Sequence, residues 1–139
     1  MTGGALDKYH DFIRDGLTKL YSETVVDHAM SPRNYGDLIG YNGFAIILDD
    51  SDITIAIWIK AENGTITSTS FTSDGDAASI ATGSMVTEMA KGKTVAEAGK
   101  ISQQDIIDAL GGLPPEAEHS ALSAADAIKE AANDYLASS

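Results

Sequence analysis

Apolar residues recur along this chain with two different periods, and the switches between them predict the order of elements. In "ITIAIWIK" (Ile53 to Lys60), Ile53, Ile55, Ile57 and Ile59 share one face, with Thr54, Ala56, Trp58 and Lys60 on the other. Such period-2 alternation marks a strand with one buried face. The "AENG" that follows contains Asn63-Gly64, a strong two-residue hairpin turn. "TITSTSFT" (Thr65 to Thr72) is then the returning antiparallel strand, its Thr and Ser side chains suited to a partly buried surface. Ahead of the hairpin, the short apolar run "GFAIIL" (Gly43 to Leu48) predicts one more strand.

On either side of the strands the period is helical. Residues 1 to about 16 predict a short helix ending at Gly16, an extension ahead of the main pattern. Leu17, Leu20, Tyr21, Thr24, Val25 and His28 follow i, i+3, i+4, i+7 spacing and predict an amphipathic helix. It should stop at Ser31-Pro32, because the residue before a proline disfavours helical geometry. "SPRNYGDLIGYNG" then reads as a loop. From Asp76 onward, Ala77, Ile80, Ala81, Ser84 and Met85 define one helical stripe ending near Gly92. Two shorter helices follow, with Thr94 and Ser102 as N-caps and Gly99 and Gly111 as stops. "LPPEAEHS" is an extended connector, and Ala121 to about Leu136 a final Ala-rich helix. No internal repeat or long linker divides residues 1–139, so one α+β domain is expected, a small antiparallel sheet with helices on one side.

Composition narrows the partners. Nine Lys and Arg stand against 21 Asp and Glu, a net charge of −12, which argues against nucleic acid and against an anionic membrane as partners. No apolar run approaches the roughly 20 residues of a membrane helix. The opening "MTGGALDKYHDFIRDG" has no signal-peptide apolar region, so a cytoplasmic location is expected. There is no cysteine, which excludes disulfides, thiolate metal sites and Cys nucleophiles.

Three turns carry polar side chains that could converge: Asp49 to Asp52, Ser73 to Ala77 and Glu118 to Ser120. In an antiparallel hairpin the start of one strand lies beside the end of its partner, so Asp50 or Asp52 is expected near Asp76. Each residue also has an ordinary reading. Asp52 could end a loop, Asp76 could cap the helix after it, His119 could be packed at the surface, and Ser120 could be another cap. No Ser-His-Asp spacing here is informative, and "GYNG" is too short for a phosphate loop. No enzyme is expected.

Taken together, three longer segments resemble the IscU/NifU-type iron–sulfur cluster assembly scaffold family. "LYSETVVDHAMSPRNYG" (Leu20 to Gly36) resembles the family's Y-x-x-x-V-x-D-H-x-x-x-P-R-N-x-G pattern. "DGDAASIATGSMVTEMAKGKT" and "LPPEAEHSALSAADAIKEAANDY" resemble its cluster-loop helix and its closing helix, in the same order. The resemblance spans about residues 18 to 136 and implies the family's fold. In that family three cysteines hold a nascent cluster, helped by an aspartate and a histidine. By the resemblance, the first cysteine falls on Asp50, the second on Asp76 and the third on Ser120, while Asp52 and His119 keep the family's aspartate and histidine.

The substitutions change the chemistry that the resemblance implies. A cluster scaffold needs soft thiolates to bind iron and accept sulfur, and neither Asp nor Ser can carry a persulfide. A metal set of Asp50, Asp52, Asp76, His119 and Ser120 offers hard oxygen and borderline nitrogen, suited to Zn²⁺ or Fe²⁺ rather than to an iron–sulfur cluster. The family's L-P-P-x-K segment, grasped by an Hsp70-type chaperone, is matched by Leu113, Pro114 and Pro115. Ala117 stands in place of its lysine between Glu116 and Glu118, which puts that contact in doubt. Three readings stay open: a homologue with at most a mononuclear metal site, a binding module that docks a cysteine desulfurase or another assembly partner, and a scaffold fold whose cysteines were removed by design.

Overall fold

The computed structural model describes residues 4–139. Its elements run α1 (Gly4–Thr18), α2 (Glu23–Met30), β1 (Gly43–Leu48), β2 (Thr54–Glu62), β3 (Thr65–Ser73), α3 (Ala77–Ala90), α4 (Val95–Ala98), α5 (Gln103–Ala109), a 3-10 turn (Pro115–Ala117) and α6 (Glu118–Ser138). The three strands form an antiparallel meander in the order β1-β2-β3. The architecture is α+β, as the hydrophobic pattern predicts.

The β2–β3 hairpin follows directly from its sequence. Asn63 and Gly64 both adopt positive φ, 55° and 80°. A turn with that geometry matches the twist of the two strands, and Asn and Gly tolerate it best. Ile55, Ile57, Ile59 and, past a bulge at Lys60/Ala61, Ala61 are all buried. Burying those three Ile side chains contributes about 5–9 kcal/mol before entropy is counted. Ile53 is only half-buried, because β2 starts one residue later, at Thr54, and Ile53 belongs to the turn leading into it.

Helices cover the inner face of the sheet: α6 lies along β1 and β2, and α3 along β3. Between them sits one core cluster that includes Val25, Ile57, Phe71, Val86, Ile106, Leu110 and Ile128. On the outer edge of β3, Gly36 N–H donates to the Phe71 carbonyl at 2.8 Å and Phe71 N–H to the Asn34 carbonyl at 2.9 Å. The expected 31–43 loop thus covers a strand edge that would otherwise be left open.

Three expectations about helices need correction. The helix expected from Leu17 to His28 is broken. α1 runs through Gly16 to Thr18, Tyr21 N–H closes a last turn on the Leu17 carbonyl (2.9 Å), and α2 starts anew with Ser22 as its cap, accepting from Val25 N–H at 3.1 Å. A new cap inside a periodic stretch restarts the helix at a different angle while leaving the spacing intact. Residues 1–3 of the expected first helix lie outside the described residues. In α3 the expected single stripe does not describe the packing. Ala78, Ser79, Ala81, Thr82, Gly83, Ser84, Val86, Thr87 and Ala90 are all buried, while Ala77, Ile80 and Met85 are half-buried. α3 is a central helix, packed on β3, α2 and α6 together, and small residues on every side let its neighbours approach. Finally, α6 starts at Glu118, so His119 and Ser120 lie in its first turn rather than ahead of it.

Candidate functional site

The three turns meet at one end of the sheet because the hairpin register and the start of α6 bring them there. The β2–β3 pairing places Ile55 opposite Ser73. One residue further, Thr54 N–H donates to the Asp74 carboxylate at 2.7 Å. Gly75 leaves room beside it for the Ser79 side chain, which a methyl group there would strike, along with an Ile53 methyl at 2.7 Å. Beyond it, Asp76 is the N-cap of α3, with an extended backbone (φ −83°, ψ −168°). Its Oδ1 accepts from both Ser79 N–H and Ser79 Oγ, each at 3.1 Å. The buried Ser79 hydroxyl lies 3.4 Å from that of Ser120, which is also buried. Asp76 and Ser120 are therefore joined through Ser79.

The turn between β1 and β2 is built around Asp49. Asp49 Oδ1 accepts from Ser51 N–H (2.8 Å) and Ile53 N–H (3.0 Å), and Asp49 N–H donates to the Ile53 carbonyl (2.9 Å). An acceptor side chain bonding to backbone amides ahead of it is an Asx turn, which explains an acid at this position. The other Asp49 oxygen lies 3.2 Å from His119 Nδ1. Burial pushes the Asp49 carboxyl up, but the Ile53 and Ser51 amides and His119 outweigh it and hold the carboxyl below its ordinary value. Asp52 closes the turn with φ +61°, which Asp tolerates better than most residues.

Four of the five sequence-predicted residues therefore fall into two groups, and Asp52 lies exposed in the turn, in neither. Asp50 and His119 line an open groove of about 370 Å³ together with Asp49, Ser51, Leu122, Ser123 and Asp126. Asp76 and Ser120 belong to the serine chain behind it. Among the described residues, no three His, Cys, Asp or Glu side chains come together closely enough to hold a metal ion. The carboxylate facing His119 is Asp49, not Asp50 or Asp52, both of which are exposed. The sequence includes Asp49 in a converging turn but does not single it out, because its role depends on an oxygen turned toward a residue 70 positions away; its place ahead of Ser51 and Ile53 is the only local signal. The Tyr21 phenol lies within electrostatic reach of this region. Partial burial raises its phenol above the ordinary value, and the nearby Asp76 and Glu116 carboxylates raise it further. Behind the groove a second cavity of about 10 Å³, lined by Asp49, Ile53, Ile55, Ser73, Ser79, Thr82, Ser120 and Ser123, has room for about one water molecule. The donors in this region are carboxylates, hydroxyls and one imidazole, a set that does not fit an iron–sulfur cluster, which requires thiolate sulfur.

Leu113, Pro114 and Pro115 enter the 3-10 turn ahead of α6. Leu113 is half-buried against the core, Pro115 is exposed, and Ala117 is buried between the exposed Glu116 and Glu118. A lysine at position 117 would have to leave the core to reach solvent.

This topology places a site of oxygen donors and one imidazole between the β1–β2 turn and the start of the last helix. The chain belongs to the NifU-like N terminal domain family, which it matches over residues 20–139. It is 42% identical over 119 residues to an iron-sulfur cluster assembly scaffold protein IscU of Archaeoglobus fulgidus, covering 84% of this chain and 77% of that one. To the scaffold protein IscU of Haemophilus influenzae it is 38% identical over 125 residues, 84% of this chain and 96% of that one. A Drosophila melanogaster relative, 37% identical over 131 residues and covering 84% and 78%, is named an iron-sulfur cluster assembly enzyme. The crystal structure of a NifU-like N-terminal protein from Brucella abortus has the same fold, with a TM-score of 0.69 at 15% identity over 88% of this chain and 99% of that one. Among the described residues, no helix is long and apolar enough to cross a membrane.

Proposed function

We propose that this chain keeps the cluster-scaffold fold without assembling a cluster on it. The observation that carries the reading is the set of side chains at the three positions matched to the family's cysteines. Asp50, Asp76 and Ser120 have no sulfur to accept a persulfide or to bind iron softly. Asp76 and Ser120 are already engaged, one as a helix cap and the other against Ser79. The site takes at most one hard divalent ion, Zn²⁺ or Fe²⁺, through Asp50, Asp52, Asp76 and His119. Binding requires the 49–53 turn to move toward the start of α3, so the affinity is low. The domain performs no catalysis of its own. It works in the cytoplasm beside the assembly machinery, with a cysteine desulfurase as its partner. The Leu113-Pro114-Pro115 segment has lost the basic residue through which a chaperone would hold it. Calorimetric titration of chelator-stripped protein with Zn²⁺ tests the site. Uptake of at most one equivalent is expected, weakened at least tenfold by Asp76→Asn. Two or more bound ions per chain, or uptake indifferent to Asp50→Asn, Asp76→Asn and His119→Ala together, overturns the reading.

A further inference from the structure

We propose that the free edge of β1 takes up one extended segment of a partner protein as a fourth strand, with basic side chains of that segment facing α6 and apolar ones facing away from it. The two edges of the sheet differ. β3 is covered by residues 34–36 of the chain itself, through the bonds that join Gly36 and Asn34 to Phe71. β1 has no such cover. Asp49 N–H donates to the Ile53 carbonyl, and the register with β2 continues without a shift from Leu48 opposite Thr54 to Gly43 opposite Ile59. Bonding alternates along an antiparallel strand, so Gly43, Ala45 and Ile47 pair with β2 while Phe44, Ile46 and Leu48 turn their N–H and C=O groups outward. Phe44 N–H meets the Asp134 carboxylate of α6 at 3.0 Å. Beside it, the outward groups of Ile46 find no partner among the described residues. The strand reads "GFAIIL", with no charge, proline or bulge to keep another strand from pairing with it.

The helix beside this edge says what kind of strand fits. An open groove of about 600 Å³ runs between residues 44–47 and Glu130, Asn133 and Asp134 of α6. Past Ile47 the surface continues to Asp126. Asp126, Glu130 and Asp134 are spaced four residues apart, a rise of ~6 Å per step. Alternate residues of an extended strand lie ~6.8 Å apart, nearly the same interval. A strand laid on β1 therefore brings every second side chain beside one of these carboxylates, and no Lys or Arg lines either groove. The side chains between them fall on the outer face of the sheet. There they meet Ile46 and Leu48, 58% and 62% exposed, and the rings of Tyr41, Phe44 and Trp58, whose successive centroids are 5.9 and 5.1 Å apart. Main-chain bonds along an edge give such a complex its affinity, and alternate side chains give it specificity. The segment recognised is thus Lys or Arg alternating with apolar residues, about as long as the six-residue β1. A second copy does not fit this edge, because pairing β1 with β1 would set two rows of these carboxylates on the same side with no cation between them.

The probe is a blocked heptapeptide that alternates Val and Lys, added to the full chain while amide exchange is followed by NMR. The Ile46 and Leu48 amides should exchange freely in the free chain and slow about tenfold or more with the peptide, while the Ala45 and Ile47 amides, already paired with β2, change little. Glu130→Lys should weaken binding about tenfold, whereas Asp108→Lys, the same charge change at an exposed position of α5, should leave it nearly unchanged. Ile46→Pro removes an outward N–H and spares the pairing with β2, so it too should weaken binding about tenfold or more. Circular dichroism checks that each variant is folded, and a peptide N-methylated on its valines tests the same bonds on the unaltered chain. No binding, binding without protection of Ile46, equal binding of a peptide with its lysines in one block, or binding indifferent to both Glu130→Lys and valine N-methylation overturns the proposal. So does an Ile46 amide that becomes protected with rising protein concentration alone, which marks a second copy as the occupant.

Discussion

Asp76 stands where the family resemblance places a cysteine, and the structure gives its carboxylate a role that a thiol cannot fill. Replacing it with Ala, Cys and Asn separates that role from others. Asp76 Oδ1 accepts two hydrogen bonds, from Ser79 N–H and Ser79 Oγ, at the start of the 14-residue central helix α3. Loss of an N-cap costs about 0.5–2 kcal/mol. The cap is exposed, so water partly replaces the lost acceptor, and a value near 1 kcal/mol is expected for Asp76→Ala. Asp76→Cys should cost about as much, because a thiol is a weak acceptor. Asp76→Asn keeps an oxygen in place and loses only the charge facing the helix dipole, about 0.3–1 kcal/mol. In urea denaturation, Ala and Cys should lower the midpoint with an unchanged slope, Asn less so. The same loss should appear as a drop of about 3–6 °C in Tm. A double-mutant cycle with Ser79→Ala should show coupling, since the two side chains share a bond. Ala and Cys variants as stable as wild type would refute the assignment of Asp76 as the cap.

Two further predictions concern the core. A methyl group added at Gly83 would strike the ring of Phe71, which is fully buried between β3 and α3. Gly83→Ala should therefore destabilise by about 1–3 kcal/mol despite the better helix propensity of Ala, and a higher denaturation midpoint would refute the packing. His28 is buried, with its Nδ1 2.7 Å from Ser84 Oγ. Burial and then Arg33 lower its pKa from 6.5, against smaller opposing effects of Asp27 and Glu88. Folding therefore favours neutral His28. The stability this provides is fully present above pH 6.5 and is lost as pH falls through the lowered folded value. His28→Gln should flatten that acid limb of the stability profile; an unchanged limb would contradict the assignment.

The parts of the fold legible in the sequence are those whose signals are local. The β2–β3 hairpin needed only the Ile alternation and Asn63-Gly64. The short helices needed only their caps, and Thr94 with Glu97 and Ser102 with Asp105 do form reciprocal capping boxes. Long-range packing was less legible. The face of α3 could not be read because neighbours cover it on several sides, and a helix buried all round has no polar stripe to orient it. The break between α1 and α2 was hidden because Leu17, Leu20 and Tyr21 keep a helical spacing across it. At the candidate site, the register placed the 49–52 and 73–77 turns at one end of the sheet, and the family resemblance added His119. It could not show which carboxylate faces His119. That depends on the Asx turn that aims Asp49 inward and leaves Asp50 exposed.

The central claim is that this fold has the place for a cluster but not the ligands. Anaerobic incubation with ferrous iron, sulfide and a cysteine desulfurase, followed by visible absorption after gel filtration, tests it most directly. The wild-type chain should emerge without sulfide-to-iron absorption, while the Asp50→Cys, Asp76→Cys, Ser120→Cys triple variant should carry it. A wild-type chain that retains a cluster through gel filtration would contradict the account.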